Sequence, residues 1–187
     1  MIVSLTLPHF AAIVTGVGTC IVDALDQTPA GAPDRQCLLL PTGMIPWDNC
    51  DCGGQVALAI RRTYAADTFP TEAPWTAWRA CGPKYQVAEV IVSVTRCVTG
   101  LDQAGQPPPC ATALAEAIRL ENDRTATRQA IACCLNAYRK AMPPTHRVTA
   151  WLLGPSVTVG ELGGCAGVET TFLVGVGVCA CPDDPDL

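Results

Sequence analysis

The stretch VTAWLLGPSVTVGELGGCAGVETTFLVGVGVCAC, residues 148–181, reads as two strands around which the rest of the chain is organised. Val148, Ala150 and Leu152 alternate with Thr149, Trp151 and Leu153. Phe172, Val174, Val176 and Val178 alternate with Leu173, Gly175 and Gly177. Period-two patterning of this kind puts successive side chains on opposite faces of a sheet, and both faces are apolar enough for an inner strand. Between the two runs lies GPSVTVGELGGCAGVE, longer than a hairpin needs, so the spacing predicts a long loop carrying Cys165. The expected picture is a sheet with a protruding arm at residues 154–167.

Working outward, the 187 residues, about half of them apolar, suit one domain with a buried core. Residues 47–181 form that core in this reading, with a short acidic tail at 182–187. A net charge of −5 with 12 Lys and Arg argues against tight nucleic-acid binding, which needs clustered cations. The first 22 residues carry no charge, but they lack a basic leader segment and are interrupted by Pro8, Gly16 and Gly18. Phe10, Ile13, Val14, Val17, Ile21, Ala24 and Leu25 instead fall on one stripe, which predicts an amphipathic helix over 8–26.

Residues 27–54, rich in Pro and Gly, show neither period and read as loop, with Asp48, Asn49 and Asp51 as turn formers. Gln55 to Ala66 reads as a strand in which adjacent Arg61 and Arg62 point to opposite faces, the commoner role for such arginines being ion pairing. Trp75 and Trp78 sit in a proline-rich loop as either a contact patch or a cover over the core. Lys84 to Val98 alternates as a long strand. From Ala111 to the Pro143-Pro144 pair the composition is helical, as one long helix or two. Its expected buried stripe is Leu114, Ala117, Ile118, Ala126 or Thr127, Ala130, Ile131, Cys134, Ala137, Tyr138 and Ala141. The waist ENDRTATRQ reads as solvated, with Arg119 and Asp123 as an i,i+4 pair. The order of elements predicts an α+β fold: a small antiparallel or mixed sheet with helices on one face.

Twelve cysteines admit three readings. Structural zinc wants pairs two to four residues apart, often with His, whereas the close pairs here are C-x-C and C-C and the histidines are His9 and His146. Disulfides suit an oxidising setting such as a virion surface; reduced cysteines also pack as small hydrophobes. A mixture is expected, with Cys20 and Cys134 in helix-core positions and Cys50, Cys52, Cys81, Cys97, Cys133 and Cys165 as candidate disulfide or structural positions. No phosphate loop, nucleophile elbow or zinc-protease motif occurs. Neither a catalytic site, a cofactor nor a metal is expected.

Four segments together carry a resemblance: WDNCDCGGQVALAI, CVTG, QAIACCLNAY and GGCAGVETTFLVGVGV. The combination resembles tail-terminator and neck proteins of long-tailed actinobacterial phages, which show a W-D-x-C-x-G entry, an A-x-x-C-C helix end and a G-G-C-A-G-G-E-W-T-F-like final hairpin. This chain departs from the last motif at Val168 and Thr170. The resemblance implies a structural virion protein and not an enzyme: a six-fold homo-oligomeric ring at the head-proximal end of the tail tube. Its implied partners are the tail tube protein and the head-completion or stopper protein, with DNA passing through the lumen unbound and no membrane involved. Trp75, Trp78, Gly154, Val159, Glu161, Gly163 and Gly167 are the candidate inter-subunit contacts under that reading. The alternatives are another neck ring, a stopper or head-tail adaptor, or a cysteine-rich domain stapled by metal or disulfides.

Overall fold

A computed structural model describes residues 9–45, 53–74, 84–102, 104–141, 148–162 and 164–177. The elements run α1 (His9–Asp26), β1 (Arg35–Leu40), β2 (Gln55–Ala66), β3 (Tyr85–Cys97), α2 (Cys110–Ala141), β4 (Val148–Leu162) and β5 (Cys165–Gly177). The strands form one five-stranded sheet in the order β1-β2-β3-β5-β4. Only the β1–β2 pair is parallel. The fold is therefore α+β with a mixed sheet.

Both helices pack on one face of the sheet, where the main core gathers. From α1 come Ile13, Val14, Val17, Ile21 and Leu25, and from α2 Ile131 and Leu135. The sheet contributes Val56, Leu58, Val90, Val92, Phe172 and Val174. The α1 stripe is the one its spacing predicts. The helix ends where the Thr28 amide and hydroxyl both donate to the Leu25 carbonyl, at 2.9 and 2.7 Å, taking up an acceptor that the last turn leaves unsatisfied. A smaller cluster of Ile45, Ala57, Ala59 and Ile91 covers part of the opposite face.

Two disulfide-linked residues tie the helical layer together. Cys20 of α1 and Cys134 of α2 are bonded across 114 residues of sequence. Closing a loop of that size contributes roughly 4–5 kcal/mol in the chain-entropy account. These are the two cysteines expected as helix-core side chains; they do face each other across the core, as a covalent link. Cys165 is also disulfide-bonded, in line with its place among the candidate positions. Exposed Cys133 and half-buried Cys97 are thiols. Of the two roles open to it, disulfide or structural, Cys133 does not take the first. Cys50, Cys52 and Cys81 lie outside the described residues.

Three expectations are corrected by the sheet. The segment read as one loop contains β1, whose Arg35, Gln36 and Cys37 pair in parallel with Gln55, Val56 and Ala57. Six residues bracketed by Pro33 and Pro41 with an uninterrupted CLLL offer no alternation to detect. The loop predicted inside the closing hairpin is strand: β4 continues to Leu162 and β5 starts at Cys165. Bulges between Leu153 and Ser156 and between Val159 and Leu162 absorb the extra residues and shift the side-chain phase, which hides the strand from a period-two search. Gly164 takes a positive φ of 83° at the turn, a conformation glycine adopts without steric cost.

The α2 stripe is the third correction. It is one continuous helix, but Leu114, Ile118, Ala117 and Ala137 are exposed. Thr127, Ala130, Ile131 and Cys134 are buried as the stripe predicts, and Leu120, Asp123 and Leu135 join them. The polar waist is thus solvated at Glu121, Asn122, Thr125 and Gln129 and a contact surface at Asp123 and Thr127.

Candidate functional site

The waist of α2 docks through charge. Buried Arg96 of β3 donates from Nε to Asp123 Oδ2 at 2.8 Å and from Nη2 to Asp123 Oδ1 at 2.9 Å. Its Nη2 also donates to the Gly31 carbonyl at 2.7 Å. The two side chains are 7% and 0% exposed, so this is a forked ion pair in the interior, the geometry in which Arg recognises carboxylate best. It joins β3, α2 and the turn after α1. The i,i+4 pairing expected for Asp123 with Arg119 is replaced by this long-range one, because α2 turns the carboxylate inward. Arg96 and Arg119 both line a cleft of about 590 Å³, together with Asp34, Cys97, Ile118 and Asn122.

One helical turn on, two further arginines hold the edge strand. Arg128 Nη1 donates to the Gly154 carbonyl at 2.9 Å and to Ser156 Oγ at 3.1 Å, and Arg124 bonds Thr158 Oγ1 and Glu121. Arg124 and Arg128 stand four residues apart, on one side of α2. They fasten β4 at its Gly154-Pro155 bulge and just beyond it. The sequence reading placed these residues in the solvated waist and gave them no role; their spacing of four was the available signal.

The outward side of the closing hairpin carries exposed apolar side chains. Trp151 and Leu153 turn toward the helices and pack on the main core. Leu152 pairs with Leu173, Val157 with Glu169, and Val159 with Gly167, and directly paired residues share a face. These six therefore look away from the helices. Leu152 and Val157 are 47% and 52% exposed. β4 is also the last strand in the order, and among the described residues no strand pairs with its outer backbone edge. Over its 15 residues that edge is interrupted at Pro155, which has no amide hydrogen to offer a neighbour.

The expected contact residues divide accordingly. Val159 lies on this outward face and is half-buried. Gly154 sits at the bulge, where a Cβ would stand 2.8 Å from the Thr171 carbonyl oxygen. Gly167 is buried, and a Cβ there would stand 2.7 Å from the Val94 carbonyl oxygen. Both glycines serve close approach within their own sheet. Glu161 belongs to the end of β4. Trp75, Trp78 and Gly163 lie outside the described residues.

Arg61 and Arg62 do not point to opposite faces as a regular strand would have it. A bulge between Ile60 and Arg62 breaks the β2–β3 register, so both reach Glu89, at 3.5 and 2.8 Å, and Arg62 also reaches Glu72 at 2.9 Å. The Glu89 hydrogen bond raises the Arg62 pKa above its ordinary value. This is the ion-pair role expected of them. Among the described residues no group of three or more His, Cys, Asp or Glu side chains is arranged to hold a metal ion, and no helix is long and apolar enough to cross a membrane.

No protein-family model matches the chain, and comparison with characterised proteins finds no match either. The class established by the structure is an α+β domain with a five-stranded mixed sheet and two helices on one face.

Proposed function

We propose that the protein is a structural virion subunit, a tail terminator that assembles as a six-fold ring on the head-proximal end of a phage tail tube, stops tube growth and receives the head-completion protein. The observation that carries the reading is the closing hairpin. The residues CAGVETTF, from the most specific part of the resemblance, open β5. They pair with β4, whose Leu152 and Val157 are exposed on the outward face and whose outer edge pairs with no strand among the described residues. Exposed apolar side chains next to an open strand edge are the means by which sheet proteins join neighbours. An acidic chain, at −5, also suits a ring through which DNA slides without adhering. In this reading the protein is not an enzyme, and its partners are further copies of itself, the tube protein and the stopper.

The test is native mass spectrometry of the purified chain, alone and on isolated tails, paired with Leu152→Asp/Val157→Asp. Six-fold assemblies of the 19.6 kDa chain, lost in the double variant while its circular dichroism is retained, are expected, together with overlong tubes in particles lacking the protein. A monomer both in solution and in the presence of tails refutes the proposal. Labelling at the portal side of the neck instead of the tube end would assign the chain to a neighbouring neck ring.

A further inference from the structure

A second cleft, of about 490 Å³, lies between the two helices, and three cysteines line it. Its lining includes Cys20, Cys133 and Cys134 together with Asp23, Ala24 and Ala130. Cys20 and Cys134 are bonded, with Cα atoms 6.3 Å apart. Cys133 is an exposed thiol. A nucleophilic sulfur and an electrophilic disulfide therefore share one solvent-accessible space, with small alanine side chains around them.

We propose that Cys20, Cys133 and Cys134 form a thiol–disulfide exchange site. The Cys133 thiolate attacks Cys20 Sγ; the Cys133–Cys20 bond forms as the Cys20–Cys134 bond breaks, and the electron pair leaves on Cys134 Sγ, which takes up the proton. One disulfide and one thiol stand on each side of the step, so no oxidant or reductant is consumed. Attack on Cys134 instead would bridge helix neighbours whose side chains diverge by about 100°, which makes Cys20 the sulfur attacked.

The exchange moves the tether by one residue along α2, about 1.5 Å in rise and about 100° in azimuth. The two pairings thus belong to two settings of α2 against α1. Ala24, Ala126 and Ala130 line the cleft where that adjustment takes place. The site lies on the helical layer, away from the outward face of the hairpin, so it stands or falls independently of ring assembly.

The experiment uses the full, unreduced chain. It is held under mildly alkaline conditions, where exchange accelerates because the thiolate is the attacking species, then trapped with N-ethylmaleimide, digested and mapped by fragment-ion mass spectrometry. A fraction of molecules with Cys134 alkylated and Cys20 joined to Cys133 is the expected result, and Cys133→Ser should abolish it. In Cys134→Ser, oxidised glutathione should drive formation of the Cys20–Cys133 bond. Alkylation confined to Cys133 among these three cysteines in the wild-type chain, or a Cys134→Ser protein that leaves both Cys20 and Cys133 alkylatable, overturns the proposal.

Discussion

Replacing Asp123 by Asn tests the interior ion pair directly. The side chain keeps its size but loses the charge that faces Arg96, and Arg96 is only 7% exposed. Its guanidinium lies away from bulk water, so the variant leaves a buried guanidinium facing a neutral partner. Breaking a buried pair in this way costs about 3–5 kcal/mol. At about 2–4 °C per kcal/mol for a chain of this size, the melting temperature should fall by about 6–20 °C. The competing expectation, an exposed Arg119–Asp123 helix pair, is worth only about 0.3–0.5 kcal/mol. Urea and thermal unfolding followed by circular dichroism, under non-reducing conditions that keep the Cys20–Cys134 link in all variants, separates the two. Arg119→Ala should be nearly silent. Arg96→Met combined with Asp123→Leu should lose much less than the two single changes added together, since no charge is then stranded. A loss below about 1 kcal/mol in Asp123→Asn, or strict additivity in the double variant, refutes the account of α2 docking by this pair.

Two further perturbations address packing and pH. Gly167→Ala puts a methyl group 2.7 Å from the Val94 carbonyl oxygen. Because backbone must move to relieve it, the isolated subunit should lose about 1–3 kcal/mol by denaturant unfolding. A variant that unfolds like the wild type and fails only in assembly would make Gly167 an inter-subunit residue after all. Burial raises the Tyr138 hydroxyl above its ordinary 10.0, so the folded state favours the protonated phenol. That contribution is fully present below pH 10 and is lost as the pH rises through the higher folded value. Urea midpoints should therefore decline above about pH 10 in the wild type and decline less in Tyr138→Phe; equal slopes would show that Tyr138 is not the group responsible. Some slope should persist in the variant, because burial also raises Tyr64.

Local pattern was sufficient to locate α1, β2 and β3, because the side chains that meet the helices recur at helical spacing in α1 and at every second residue in β3 and in β2 before its bulge. The stripe from Ile13 to Leu25 and the alternation from Ala88 to Val94 are direct records of which face meets the core. Helical propensity likewise located α2. What α2 buries was another matter: Leu114 and Ile118 match the apolar template yet stand in solvent, while Asp123 is buried. Hydrophobicity cannot rank a carboxylate as interior without its partner, and the partner, Arg96, is 27 residues away on a strand.

The candidate surface shows the same division. Residues 148–181 announced paired strands, and alternation alone was enough to place Trp151 and Leu153 opposite Leu152. Bulges at Gly154-Pro155 and beyond Val159 then changed the phase, so only the register could show that Leu152, Val157 and Val159 share one face. Likewise twelve cysteines could be counted from the chain, but a disulfide is a distance between two backbones. The sequence by itself determined the class of fold and the elements whose burial is periodic. Only the tertiary structure decided that Cys20 meets Cys134 and that Asp123 meets Arg96, because each of those contacts depends on how separate elements lie against one another.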